Sequence, residues 1–248
     1  MAQSLAVETF DRSPGLLVEF IGLPGSGKST IAHAVADLLR LRGTPVSEPT
    51  WRSDHASSPA SRTLRKGALA LAASARDPRL AREVLHRIAE SEQPTPRETL
   101  KLAVNALYVA ETAARCAQMP GIHIFDQGLL QQLWSLLYRA GNTRYAELHC
   151  ARQVAACGAR IRVVVVDAPL GTIAARLAAR TGGASRLERH LLEQGAHAVL
   201  ARAVAAQHRV EAVAEALSAR GMVRLLRVSG SAESPVRDTA RTIGDWVN

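Results

Sequence analysis

Residues 22 to 30, in the order Gly-Leu-Pro-Gly-Ser-Gly-Lys-Ser-Thr, fit the spacing G-x-x-x-x-G-K-[ST]. Glycines at such positions let backbone N–H groups turn inward around a polyphosphate. Lys28 offers a compact positive charge to the outer phosphates, and Ser29 offers a hydroxyl of the kind that ligates Mg²⁺. Gly22, Pro24, Gly25, Ser26, Gly27, Lys28, Ser29 and Thr30 are therefore the candidate nucleotide contacts, and ATP with Mg²⁺ the expected ligands. The chain contains 31 basic residues but only three lysines: Lys28, Lys66 and Lys101. A lysine in this loop of an arginine-rich chain points to a need for a point charge that a planar guanidinium does not meet.

Other residues with chemical potential lie at the ends of apolar runs. Asp126 follows Ile122-His-Ile-Phe125 and could hold Mg²⁺ together with Ser29. Its bland alternative is a cap for the next helix. Glu48 ends a weaker run and is the candidate general base for a hydroxyl acceptor, with Arg52 as the nearby cation that a phosphate acceptor would require. Asp167, followed by Ala-Pro, is read as a helix-starting residue. Arg176, Arg180 and Arg186 flank a Thr-Gly-Gly turn and suit a lid that closes over phosphates, with Arg189 a bystander. Gln127, Gln131, Ser135 and Tyr138 form one polar stripe. Lys101, Asn105, Tyr108, Thr112 and Arg115 form another. Each is either a solvent face, the commoner case, or a pocket wall. The first begins beside Asp126, which makes Gln127 and Gln131 the candidate acceptor contacts alongside Glu48 and Arg52.

These residues need a scaffold that gathers strand ends. Leu16-Leu-Val-Glu-Phe-Ile21 reads as a strand and Ile31 to Arg40 as a helix, which is the setting the glycine loop requires. Further strands are expected at Thr44–Glu48, Gly121–Phe125, Arg162–Val166 and Val223–Val228. Helical patterns fall at about 60–75, 79–91, 97–118, 128–140, 143–157, 170–180, 187–219 and 235–247. Glu92-Gln-Pro-Thr-Pro96 reads as a turn between helices. Strands alternating with helices imply an α/β fold, a three-layer sandwich with a five-stranded parallel sheet, helices on both faces and a small arginine-rich lid. The expected organisation is one domain over 1–248, with 1–14 disordered and 176–189 forming the lid.

Composition narrows the classes. Of 248 residues 47% are hydrophobic and 4% aromatic, which suits an Ala/Leu/Val-rich helical protein and excludes a disordered one. No apolar stretch approaches the ~20 residues of a membrane span. Cys116, Cys150 and Cys157 have no metal-ligand spacing, so reduced thiols and a cytoplasmic setting are expected. The net charge of +9 invites nucleic acid as partner. Dispersed arginines and the lack of interleaved aromatics disfavour it without closing the question, and a homodimer also stays open.

With the loop, Ser47-Glu48-Pro49, Asp126-Gln127, Val166-Asp-Ala-Pro169 and Arg176 in place, the chain resembles the thymidylate kinase and deoxynucleoside kinase branch of P-loop kinases. The likeness runs through nearly the whole chain except about 52–96. It extends to Val228-Ser-Gly-Ser-Ala-Glu-Ser-Pro-Val236, similar to that family's last strand and closing helix. It departs at Gln127, where the family carries arginine. The resemblance implies a P-loop NTPase fold and ATP-dependent transfer of the γ-phosphoryl group. Lys28, Glu48, Asp126, Arg176, Arg180 and Arg186 are then the expected catalytic set. The acceptor expected from Glu48 is a hydroxyl on a nucleoside, sugar or specialised metabolite. Alternatives are a nucleoside monophosphate, an ATPase switch without acceptor, and a modified base in DNA. Lys28→Ala is expected to abolish phosphoryl transfer while the circular-dichroism signature of the fold persists. Lys28→Arg should not restore transfer, because a fork-shaped donor does not fit a loop shaped for an ammonium.

Overall fold

Apolar runs pair side by side at the centre of the molecule: β1 (Leu16–Ile21), β2 (Val46–Ser47), β3 (Ile122–Phe125), β4 (Arg160–Asp167) and β5 (Val223–Ser229). The computed structural model describes residues 14–55, 58–144, 146–179, 187, 196–231 and 235–247. The expected disordered lead-in, save Pro14, lies outside these. All strands are parallel, in the order β2-β3-β1-β4-β5. The helices are α1 (Lys28–Leu41), α2 (Pro49–His55), α3 (Pro59–Arg76), α4 (Pro78–Glu90), α5 (Pro96–Ala117), α6 (Leu129–Leu137), α7 (Ala146–Ala156), α8 (Leu170–Ala178), α9 (Ala196–Ala219) and α10 (Val236–Val247). This is the P-loop NTPase fold with the five-stranded sheet expected above.

β1 is buried at every position because both faces of the sheet are covered. Leu16, Val18 and Phe20 pack with Ile31, Val35 and Leu39 of α1 and Ile243 of α10. Leu17 and Ile21 face the other layer with Val109 of α5, Leu130 and Leu133 of α6 and Val210 of α9. Strand alternation thus divides one run between two cores.

The stretch 52–96, where the likeness to the kinase branch lapses, folds as a helical annex. Ala70 and Ala73 of α3, Val84 and Ile88 of α4, and Leu102 and Leu107 of α5 make a third apolar cluster. Its helices start where the sequence offers a capping side chain followed by proline. Ser58 accepts from Ser61 N, Asp77 from Leu80 N and Thr95 from Glu98 N, each with proline in the first helical position. A proline, Pro49, also opens the unforeseen helix α2. Among the described residues no helix is long and apolar enough to cross a membrane.

Phe20 is fully buried on the central strand. Phe20→Ala should therefore lower the unfolding free energy by about 3–5 kcal/mol, read from urea denaturation of the full chain.

Candidate functional site

The parallel pairing of β1 with β3 sets Leu16 opposite Ile122 and Glu19 opposite Phe125. The chain leaving β1 therefore enters the glycine loop just where the chain leaving β3 reaches Asp126. The loop turns through Gly25 (φ 90°) and Gly27 (φ 95°), left-handed values that a side chain would strain. Gly27 also precedes α1, and no side chain caps that helix. The first N–H groups of α1, with the helix dipole behind them, suit a phosphate. Ser26 Oγ is buried without a hydrogen-bond partner, another donor that an anion would satisfy. On these grounds the loop fits a polyphosphate.

Loop carbonyls turn outward as the amides turn inward. Arg176 of α8 meets them, its Nη1 donating to the carbonyls of Gly25 (3.2 Å), Ser26 (3.2 Å) and Gly230 (2.9 Å). Arg176 was expected to reach across phosphates from a lid. Instead it fastens the loop to the segment after β5. A Cβ at Gly230 would collide with the Ser26 carbonyl, so this junction is tightly closed. Arg180, Arg186 and Arg189, with most of the expected lid, lie outside the described residues.

Asp126 is buried and bonded on both oxygens. Ser29 Oγ donates to Oδ2 at 3.2 Å, and Thr50 Oγ1 of α2 donates to Oδ1 at 2.7 Å. Ser29 and Asp126 are thus adjacent, as two protein ligands of one Mg²⁺ would have to be. Among the described residues no group of three His, Cys, Asp or Glu side chains could hold a metal by itself. Mg²⁺ typically takes only one or two carboxylates and completes its shell with phosphate and water, so this sparse pair fits it.

Beside the loop opens a cavity of about 300 Å³. Gly25 and Gly27 through Thr30 form one part of its lining. Gln127 and the α6 residues Gln131, Trp134 and Ser135 form a second, and Lys101 and Asn105 of α5 a third. The two polar stripes are therefore pocket wall in part. Gln131 Oε1 accepts from Gly22 N at 3.4 Å. Tyr138 departs from its stripe, being fully buried and stacked on Trp134, and Tyr108 and Thr112 are buried in α5. Arg115 pairs with Glu111 at 2.7 Å.

Glu48 does not face this cavity. Its carboxylate is buried between Arg40, at 2.5 Å, and His33, at 3.0 Å, both on α1. This corrects the expectation of an acceptor-side base. The short strand β2 ends under α1, where Arg40 and His33, seven residues apart, both claim the carboxylate. Arg52 is likewise out of place, exposed on α2 and absent from the cavity lining. Asp167 pairs with Arg227 at 3.5 Å at the end of β4.

Sequence reading gave no role to Glu19. This residue interrupts the apolar central strand, is 4% exposed, and accepts from Gln131 N at 2.8 Å. A Cβ at Gly128 would collide with its carboxyl group. Glu19 thereby holds the first turn of α6, and with it Gln131, against β1. Burial pushes its pKa up to about 7, against the pull of N–H groups from Gln131, Leu130 and Leu129.

A family model described as AAA domain matches residues 17–201, well over half of the chain. A search of curated proteins found no match. Among solved structures the chain is similar to thymidylate kinase from Candida albicans, with 14% identity and a TM-score of 0.47, over 95% of this chain and 91% of that chain.

Glu19 predicts a pH dependence. The folded state keeps its proton up to about pH 7, whereas the unfolded chain releases it near 4.5. The folded state therefore binds more protons in that window, and stability falls as pH rises through it. Glu19→Gln, which keeps an acceptor oxygen, should abolish this part of the slope, seen as urea midpoints measured at pH 5 and 8. An unchanged slope in the variant would remove Glu19 as its source.

Proposed function

The chain belongs to the AAA domain family, and from that premise and the geometry of its phosphate loop we propose an ATP- and Mg²⁺-dependent phosphotransferase acting on a small polar acceptor. The observation that carries this reading is the cavity continuous with the loop, walled by Asn105, Gln127, Gln131 and Ser135. A nucleotide switch needs room only for a water molecule at the γ-phosphate. It has no use for a second wall of polar side chains.

In this reading the residues 22–30 and the N-terminus of α1 hold the triphosphate, and Lys28 serves its outer phosphates. Ser29 and Asp126 hold Mg²⁺, which when bound supplies charge neutralisation on the phosphate oxygens. Thr50 fixes one oxygen of Asp126 and so orients the other towards Ser29. Arg176 keeps the loop in shape from its carbonyl side. Arg180 and Arg186 are proposed to join the phosphates from the segment after α8. Gln127 and Gln131 bind and orient the acceptor. With Glu48 engaged by Arg40 and His33, no step is assigned to it.

The test is nucleotide turnover by the full chain with and without a panel of candidate acceptors. Turnover should depend on an acceptor and on Mg²⁺. Asp126→Asn should lower it on the order of 10²-fold or more at unchanged fold. Brisk hydrolysis that no acceptor accelerates would favour a switch, and unchanged Mg²⁺ dependence in Asp126→Asn would leave that residue a structural cap.

A further inference from the structure

Gln131 enters the cavity beside the phosphate loop with one end of its amide already committed. Its Oε1 accepts from Gly22 N at 3.4 Å, and that contact decides which end of the amide is which. A backbone N–H can only donate, so the atom opposite it is the carbonyl oxygen and Nε2 is the end left over. The backbone of the residue is tied down as well. Glu19 accepts from Gln131 N at 2.8 Å, and Ser135 Oγ donates to Gln131 O at 3.2 Å. The residue is 4% exposed and lines the cavity. Among the described residues Nε2 has no hydrogen-bond partner. A molecule that fills the cavity displaces the water that Nε2 would otherwise meet, and has to accept from it instead.

Other parts of the same lining are carbon. Trp134 spends its Nε1 on the Ala203 carbonyl at 3.1 Å and has one face stacked on Tyr138. It therefore offers the cavity ring carbon alone, as Leu102 and Leu187 offer alkyl carbon. From this we infer that Gln131 Nε2 sets the specificity of the site, selecting acceptors that present a carbonyl oxygen or ring nitrogen beside an apolar portion. The inference rests on the reading of the cavity as the acceptor site and names the residue that discriminates there. An N–H or amino group at that point would meet Nε2 donor to donor. A hydroxyl would satisfy Nε2 but then need a partner for its own proton, which a carbon wall does not supply. A phosphate or carboxylate would set its charge against the same carbon. No step of the transfer is assigned to Gln131, which touches the body of the acceptor and not the reacting oxygen.

The test follows label from γ-labelled ATP into an extract of small metabolites, with the labelled products identified by mass spectrometry. The wild-type full chain should label molecules that carry a carbonyl oxygen or ring nitrogen apart from the group that receives the phosphate. Labelling confined to plain polyols or simple amines would overturn the inference, and this arm needs no variant to fold. Gln131→Met keeps the volume of the side chain and removes both polar ends. It should raise the KM for such an acceptor by roughly 10- to 100-fold, with kcat and the affinity for a Mg²⁺ complex of a non-hydrolysable ATP analogue unchanged. An analogue of that acceptor with carbon in place of the accepting atom should lose the same factor with the wild-type chain. With Gln131→Met it should lose nothing further, which a merely structural role of Gln131 would not produce. An equal penalty in both chains would overturn the inference, as would loss of the ATP analogue in the variant, which would make Gln131 a support of the loop. Either result leaves the phosphotransferase reading standing. Hydrolysis of ATP by the wild-type chain with no metabolite labelled would overturn that reading and the inference with it.

Discussion

The pairing of β1 with β3 is the constraint on which the rest of the site depends. Parallel strands end on the same edge, so neighbours in the sheet deliver their following residues to one place. β1 delivers the glycine loop and β3 delivers Asp126. Ser29 and Asp126, distant in sequence, then stand 3.2 Å apart. That neighbourhood needs β1 at the centre with both faces covered, which is why Val18, Phe20 and Ile21 are fully buried. Loss of this apolar cover would separate the loop from its carboxylate without touching either of them.

The loop also shows how a phosphate site sorts its dipoles. Glycine torsions that turn N–H groups towards a ligand necessarily turn carbonyls away from it. Those carbonyls still need donors, since an unpaired buried backbone group is costly. One guanidinium supplies them, Arg176 reaching two loop carbonyls and that of Gly230 together. A planar, permanently charged fork suits this bridging task, whereas the ligand side of the loop uses the compact Lys28. The division of labour between arginine and lysine in this chain thus has a physical basis within nine residues of sequence and their neighbours.

Much of the fold was legible because its signals are local. The loop, the apolar strands and the helical periodicities each announce themselves within a few residues. Asp126 was legible from its place at a strand end. Glu48 was not, because the decisive facts are Arg40 and His33 on another element. A strand-end carboxylate looks the same in sequence whether it faces a cavity or lies under a helix. The stripes on α5 and α6 were ambiguous for a related reason. Lys101 and Asn105 line the cavity while Tyr108 and Thr112, one and two turns on, are buried. Glu19 was passed over because a single acidic residue in a strand gives no hint of the helix N-terminus it will meet.

The fate of Glu48 reshapes the chemistry that the cavity can be asked to perform. A hydroxyl acceptor profits from a carboxylate that takes its proton, and the candidate the sequence offered is held by Arg40 and His33 on α1. Phosphoryl transfer itself has a loose transition state and makes small demands on covalent help. Position and charge dominate it, and those the site has in quantity: a loop of inward amides, an uncapped helix end, Lys28 and a cavity bordered by Lys101. An acceptor whose reacting oxygen is already ionised needs no base at all. Charge that draws such an acceptor in also offsets its repulsion from the triphosphate, the main electrostatic obstacle to bringing two anions together.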